Sequence, residues 1–310
     1  GELISTADYA VYLPQSGTTT ISGGKVYGAA GGVCIQRGTL NVEGTALITS
    51  KGTGSTGNWG DGTGGLDCAA INVSGAYGIA TVNIKGGTLI AEAKSLITEG
   101  TTYTPVINVT GGTFSDPSVL KYMATNATVD IKLLSNINIA KTELATGYIL
   151  NAANATANLN LNGHDIINSS ETADATPFTQ IFTVQNGTLN ISGNGNVKCD
   201  ASATAKDDGY RMVIEARGYG TVNIHGGSYY NTQKLNTQID LIYARENGKI
   251  NIYGGTFESG KYGTPNNDTD GRYWVLNLKN TDKNTASIQV SGGTFINFNP
   301  ANPNMDDNES

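Results

Sequence analysis

The chain has 310 residues, of which 41 are glycine and only 15% are charged, and its net charge at pH 7 is −7. So few long charged side chains argue against amphipathic helices, whereas abundant glycine, asparagine and threonine favour turns and short strands. The acidic balance argues against binding to a nucleic-acid backbone, and no apolar stretch is long enough to predict a membrane-spanning helix.

A short motif recurs along the chain, in which two apolar residues flank a polar one and a variable residue and glycines follow. The spacing averages about 30 residues but varies from copy to copy, which indicates that one strand per repeat is kept while the loops differ in length. The copies begin at Thr19, Thr39, Thr81, Val106, Asn158, Thr188, Thr221, Lys249 and Ser287, and a copy without glycines begins at Thr128.

Each strand of this kind has one apolar face, because successive side chains point to opposite sides. Such a strand is not stable alone, but copies stacked in parallel bury a continuous core. We therefore predict an all-β fold, a right-handed parallel β-helix (a solenoid) of about ten coils. It is expected to form one domain over residues 1–310, which can be divided into sub-blocks 1–125 and 126–310.

Three further elements are predicted along the chain. The Gly-rich segment Ser50–Gly65 is expected to protrude as a loop between two coils. With Ser115 or Asp116 as N-cap and Pro117 at the first helical position, a short helix is expected near 117–124. Many repeats also carry a second short apolar strand before the motif, as at Val33–Ile35, Phe182–Val184, Met212–Ile214, Leu241–Tyr243 and Trp274–Leu276.

The polar residue inside the motif is usually asparagine, so stacking predicts a row of carboxamides along one outer face. The main interpretation is a set of hydrogen bonds between coils, and the alternative is a surface that binds a ligand. The predicted members are Asn41, Asn83, Asn108, Asn160, Asn190, Asn223 and Asn251, continued by Asp130 and Gln289.

The repeated sequence GGTF, at Gly111–Phe114, Gly254–Phe257 and Gly292–Phe295, resembles pectin-lyase-like β-helix proteins from the surfaces of gut bacteria and their phages. The segments GGTFSDPSVLKYMA and IKLLSNINI with LNLNGHDI are similar to the end and the start of modules in that group. The resemblance covers nearly the whole chain. It implies the β-helix fold and an extracellular or cell-surface location, but no particular reaction, because most of these proteins have none assigned.

One group of residues has the chemistry of a catalytic site. Arg217 and Arg245 each lie five residues before the apolar start of successive repeats, so they are expected to stack. Glu215 and Tyr243 precede them by two residues, and Asp240 lies nearby. The four charged residues are the catalytic candidates, with a carboxylate or arginine as the base. The alternatives are bidentate binding of an acidic sugar and a plain ladder of surface charges.

Aromatic residues concentrate late in the chain, where eight of the 15 tyrosines follow residue 209. Exposed aromatic faces stack on sugar rings, although packing in the core is the alternative role for such residues. The predicted ligand-binding residues are Tyr210, Arg211, Arg217, Tyr219, Tyr243, Arg245 and Trp274.

Metal and cofactor signals are weak. Asn266, Asp268 and Asp270, followed by Gly271, match the first half of a calcium loop, but Asn277 stands where such a loop needs a bidentate glutamate. We expect a plain turn there, with calcium as the alternative and no other cofactor. The three cysteines are expected to be reduced thiols in the core.

Resemblance to known β-helix enzymes does not extend to their catalytic residues. Asn280–Asp282, Asp207–Asp208 and Gly163–Asp165 occur in the reverse of the order found in polygalacturonases, and the Arg-x-Lys element is absent. His225 occupies the variable position of the motif, which argues against a catalytic role. We therefore expect a non-catalytic secreted or cell-surface module that binds a polysaccharide or surface glycoconjugate. The alternatives are a lyase or glycoside hydrolase acting on an acidic polysaccharide, and a structural stalk.

Overall fold

The computed structural model describes residues 1–52, 68–98, 102–139, 147–168, 178–199, 210–231, 239–259, 273–296 and 298–301. Over these residues the chain is all-β, with long parallel sheets and two short 3₁₀ helices, so the predicted all-β class is confirmed. Within them, no helix has the length and apolar character needed to cross a membrane. The chain divides into two compact units, Gly1–Leu134 and Ser135–Ser310. Most of the predicted loop at Ser50–Gly65 lies outside the described residues.

The first unit consists of short strands and one 3₁₀ helix. The strands are β1 (Glu2–Ser5), β2 (Tyr9–Leu13), β3 (Thr18–Ile21), β4 (Lys25–Gly28), β5 (Gly31–Ile35), β6 (Gly38–Val42), β7 (Leu47–Ser50), β8 (Ala69–Val73), β9 (Ala80–Ile84), β10 (Thr88–Ala91), β11 (Lys94–Thr98), β12 (Val106–Val109), β13 (Thr113–Phe114) and β14 (Thr128–Lys132).

These strands form three parallel sheets. The first sheet has the order β1-β4-β7-β10-β13-β14, the second β2-β5-β8-β11 and the third β3-β6-β9-β12. Up to β13 the chain visits the three sheets in rotation, so each strand pairs with the one three positions earlier. Leu40 and Val82 are aligned in the third sheet and both are fully buried. Burying such side chains stabilises the unit by about 1.5–3 kcal/mol each.

The predicted helix is a 3₁₀ helix, η1, over Pro117–Tyr122. The side chain of Asp116 is its N-cap and accepts a 2.9 Å hydrogen bond from the backbone N–H of Ser118. Pro117 stands at the start of the helix, where a missing N–H has no cost. Val119 and Leu120 are buried, which anchors the helix to the unit.

The third sheet carries the asparagine row of the first unit. The Nδ2 of Asn83 donates to Oδ1 of Asn41 at 2.9 Å, and Nδ2 of Asn108 donates to Oδ1 of Asn83 at 3.0 Å. The row begins at the hydroxyl of Thr20, which accepts from Asn41. The prediction that Asp130 continues this row is wrong, because Asp130 lies in β14 of the first sheet and is aligned with β13.

The second unit has longer strands. They are β15 (Ile137–Asn138), β16 (Tyr148–Asn160), β17 (Ile166–Asn168), β18 (Phe178–Ser192), β19 (Asn196–Cys199), β20 (Tyr210–Ile224), β21 (Ser228–Asn231), β22 (Ile239–Ala244), β23 (Lys249–Ile252), β24 (Thr256–Ser259), β25 (Tyr273–Leu278), β26 (Ser287–Val290) and β27 (Thr294–Phe295). A second 3₁₀ helix, η2, covers Asn280–Asp282.

The strands of the second unit also pair in parallel. β16, β18 and β20 lie side by side, and register shifts interrupt their pairing near Val184 and Asn186. The first half of β20 pairs with β22 and the second half with β23, and these strands pair in turn with β25 and β26. A second parallel sheet has the order β15-β17-β19-β21-β24-β27. A bulge or corner therefore separates two strand segments in each repeat.

An aromatic stack fills the core beneath the second sheet of this unit. Tyr229 and Phe257 are fully buried with ring centroids 5.0 Å apart, and Phe295 stacks on Phe257 at 4.9 Å. The Tyr229 hydroxyl donates to the carbonyl of Gly226 at 2.9 Å, and burial raises its pKa well above the ordinary value. The GGTF aromatic positions thus stack in register, as parallel pairing requires.

One predicted member of the asparagine row is displaced in this unit. Asn158 rather than Asn160 is aligned with Asn190. The reason is that Ala157 takes the buried position that Leu or Val takes in other copies. Alanine is a weak signal of an inward position. The sequence pattern therefore predicts the first inward residue of this copy at Leu159, two residues after its actual position at Ala157.

Candidate functional site

The second unit presents a polar outer surface, here called the asparagine face. It consists of the outward residues of five parallel segments, which are 156–160, 188–192, 219–225, 247–253 and 287–291. Inward residues such as Val222, Ile224 and Ile250 are fully buried, and the residues between them are partly or fully exposed. The face is therefore the solvent side of a sheet whose other side is core.

Carboxamides run across the middle of this face. Nδ2 of Asn190 donates to Oδ1 of Asn158, Nδ2 of Asn223 to Oδ1 of Asn190, and Nδ2 of Asn251 to Oδ1 of Asn223, each at 2.8 Å. Gln289 is aligned next to Asn251. Asn190, Asn223 and Asn251 each donate one of their two N–H groups within this row, so the second N–H of each can meet another partner.

Aromatic side chains lie at both ends of the strands that cross the face. His225 and Tyr253 stack with ring centroids 4.8 Å apart and an interplanar angle of 10°. Tyr253 is 50% exposed, and Tyr219 at the other end is 75% exposed. Ser192 and Ser291 occupy the positions on either side of the stacked pair. Both are small side chains, so neither adds a third ring to the stack.

The charge of the face differs from that of the chain. None of the outward positions in the five segments, all of which are described, is Asp or Glu. Lys249 is the one permanently charged side chain among them. The chain as a whole has a net charge of −7, so the acidic groups are placed elsewhere.

Glu215, one of the four catalytic candidates, is a buried carboxylate with 1% of its side chain exposed. Its Oε1 accepts a 2.6 Å hydrogen bond from Nε of Arg245, and Nε of Arg217 lies 3.9 Å from its Oε2. The amide of Gln180 and the hydroxyl of Thr183 also approach Oε2, at 3.5 and 3.4 Å. Both carboxylate oxygens thus face hydrogen-bond donors, which offset the cost of burying the negative charge.

Arg245 links Glu215 to the corner that follows β22. Its Nη1 lies 2.6 Å from Oε1 of Glu246. Burial acts to lower the pKa of Arg245, but the hydrogen bond and charge of Glu215, then the charge of Glu246 and the neighbouring Tyr243, raise that pKa above its ordinary value. The guanidinium therefore stays charged at any physiological pH.

Glu246 holds this corner together. It is one of the non-glycine residues with positive φ, at 60°, in the described part of the chain. Its Oε2 accepts a 2.8 Å hydrogen bond from the N–H of Gly218, and its own N–H donates to Oδ2 of Asp282 at 2.6 Å. The hydroxyl of Thr285 donates to its carbonyl. These bonds fix the backbone directly before the exposed ring of Tyr219.

Of the other predicted site residues, Tyr243 lies beside Glu215, whereas Asp240 and Trp274 lie beside each other. Tyr243 is aligned with Glu215, as the spacing predicted. Asp240 is fully buried, and its Oδ1 accepts a 2.9 Å hydrogen bond from Nδ2 of Asn277. Trp274 is aligned with Asp240. Two of the predicted ligand-binding residues, Tyr210 and Arg211, have side chains that lie outside the described part of the chain.

No metal site emerges from the part of the chain that the structure describes, in which no group of three His, Cys, Asp or Glu residues could hold an ion. The candidate calcium loop with Asn266, Asp268 and Asp270 lies outside that part. The three cysteines, Cys34, Cys68 and Cys199, are buried and form no disulfide with one another.

The first unit carries a second candidate, a shallow polar groove of about 400 Å³. Three Gly–Thr pairs, 44–45, 87–88 and 112–113, line it together with Thr128 and Asp130. It has no aromatic residue in its lining and is the weaker candidate.

Sequence reasoning identified the Glu215 cluster and Tyr219 but missed the stacking of His225 on Tyr253. Both residues occupy the variable position of successive repeats, where the motif carries no constraint. Their shared position was the signal, since aligned aromatic residues in parallel strands are neighbours.

No protein-family model, curated protein or solved structure matches this chain.

Proposed function

We propose that this chain is a non-catalytic glycan-binding module of the extracellular space or cell surface, built as a right-handed parallel β-helix. Its rotation through parallel sheets in the first unit and its in-register repeats in both units support the solenoid. The asparagine face of the second unit is the proposed binding surface.

One observation carries the binding proposal. Exposed Tyr219 and the His225–Tyr253 stack flank a row of carboxamides on a face without carboxylates. Aromatic rings offer stacking surfaces for the C–H faces of sugars, and amides offer both a donor and an acceptor to each hydroxyl. Sugars are the ligand class that needs both kinds of contact at once.

The geometry favours binding over the alternative of a lyase or glycoside hydrolase. Glu215 is buried and surrounded by donors, so a substrate would have to displace Arg245 to reach it. Asp240 is also buried and is hydrogen-bonded to Asn277. Neither carboxylate lies in an open groove where it could exchange a proton with a substrate. A stalk without any site would not account for the exposed aromatic pair.

The test is retention on an array of β-glucan, mannan, xylan, arabinogalactan and polygalacturonate. We expect wild-type protein to bind at least one of them and Tyr253→Ala to bind it more weakly, by up to about tenfold, since an aromatic contact contributes about 0.5–1.5 kcal/mol. Tyr77→Ala is the matched control, because Tyr77 is 41% exposed but lies in the first unit. Equal loss in both variants, or no retention of wild-type protein, would reject the proposal.

A further inference from the structure

We infer that the ligand is a linear, neutral glycan that lies along the strands, from Tyr219 to the His225–Tyr253 stack. This inference rests on the proposed function and adds the ligand's length, direction and charge.

The length follows from the strand that joins the two aromatic sites. The pairing of β20 with β18 is unbroken from Asn186↔Tyr219 to Ile191↔Ile224, so no bulge interrupts this stretch. Tyr219 and His225 are six residues apart and lie on the same side, which corresponds to roughly 20 Å at about 3.3 Å per residue. That distance exceeds one sugar ring and requires an oligosaccharide.

The residues between the two aromatic sites suit a polyhydroxyl chain. Thr221 and Asn223 are the outward residues of β20 on this path, and both are partly exposed. Lys249 and Asn251 lie beside them on the neighbouring strand. The path therefore alternates hydroxyl and amide groups between aromatic ends, and each group can exchange hydrogen bonds with sugar hydroxyls.

The charge of the face favours a neutral ligand. An anionic polysaccharide carries a charge on each repeating unit, and binding it along such a path would call for several cations. Lys249 is the one permanently charged outward residue of the five segments. Arg217 and Arg245, the nearest arginines in the sequence, are engaged with Glu215.

The binding of glycan fragments of increasing length tests the inference. Fragments from disaccharide to hexasaccharide are prepared from the polysaccharide that the array retains, and titrated calorimetrically. We expect affinity to rise with length until both aromatic sites are covered. Tyr219→Ala should weaken hexasaccharide binding about tenfold and leave disaccharide binding on the stacked pair unchanged. Because the ligand is neutral, raising the salt concentration should leave the affinity of every fragment unchanged.

The outcomes separate this inference from the proposed function. If the retained polysaccharide is polygalacturonate and its binding falls steeply with salt, the neutral assignment is overturned although the module still binds glycans. If a disaccharide binds as tightly as a hexasaccharide, the extended path is overturned. If the array retains nothing, both proposals fail together.

Discussion

Arg245 donates a 2.6 Å hydrogen bond to Glu215 on the neighbouring strand, and this bond ties β20 to the corner after β22. The same guanidinium contacts Glu246, whose carboxylate accepts from Gly218. A buried charge, a strained corner and an exposed aromatic residue are thus connected by side-chain hydrogen bonds. The role of this cluster is to hold the edge of the asparagine face in place.

Removing Arg245 should therefore cost much more stability than an ordinary surface substitution. In Arg245→Ala the carboxylate of Glu215 stays buried and loses its closest partner, and we expect the free energy of unfolding to fall by about 3 kcal/mol. Urea denaturation measures this. The control is Arg217→Ala, whose guanidinium is 3.9 Å from Glu215 and more exposed, with an expected loss below about 1 kcal/mol. Similar losses in the two variants would contradict this description of the cluster.

Acid should weaken the corner through Asp282. The N–H of Glu246 donates to its carboxylate and lowers the pKa of Asp282 below the ordinary value of 3.8; burial partly opposes this, and Thr281 and Lys279 add to it. Because the folded-state pKa is lowered, the stabilisation is fully present above the ordinary value and is lost as pH falls through the lowered one. The stability difference between wild type and Asp282→Asn should thus be constant near neutral pH and shrink below about pH 4. A difference that persists unchanged in acid would exclude this role.

Gly220, inside β20, and Gly163, in a turn, should respond to alanine in different ways. A Cβ on Gly220 would lie 2.0 Å from the carbonyl oxygen of Val184, which is backbone of the adjacent strand. We expect Gly220→Ala to lose at least about 3 kcal/mol, because packed strands cannot separate locally. Gly163 has φ of 82° and open space around it, so Gly163→Ala should lose only about 1 kcal/mol from backbone strain. Thermal unfolding distinguishes the two, and equal losses would argue against the close strand approach at Gly220.

A side chain of the asparagine row should contribute to stability only where it is hydrogen-bonded to a neighbour on each side. Asn223 donates to Asn190 and accepts from Asn251, so Asn223→Ala should lower the free energy of unfolding by about 1 kcal/mol. Gln289 is aligned at the end of the row and makes no side-chain hydrogen bond with the described residues, so Gln289→Ala should change stability by less than about 0.5 kcal/mol. Chemical denaturation of the pair tests this, and a neutral Asn223→Ala would show that the amides exchange freely with water.

The sequence predicted the structure correctly wherever the alternation of apolar and polar residues along a strand is enough to determine it. The strand at Thr221–Ile224, its parallel neighbours and the row through Asn223 follow from one apolar face per strand and a constant motif. The alignment of Glu215 with Tyr243 followed from equal spacing before two successive motifs. These features depend on local periodicity, which the sequence displays directly.

Features that depend on corners could not be predicted in the same way. Pairing between β16 and β18 shifts between Asn151 and Thr156, and Ala157 hides an inward position, so Asn160 was assigned to the row in place of Asn158. The hydrogen bonds of Glu246 cross a corner, and no periodic pattern fixes that geometry.

Nitration of tyrosines in the presence and absence of the retained polysaccharide tests the proposed binding face most directly. Mass spectrometry reports the modified fraction of each exposed tyrosine, including Tyr77 and Tyr103 in the first unit, which are 41% and 48% exposed. We predict that the glycan protects Tyr219 and Tyr253 and leaves Tyr77 and Tyr103 as reactive as before. Protection confined to the first unit, or unchanged reactivity of Tyr219 and Tyr253 when the glycan is bound, would contradict the assignment of the asparagine face.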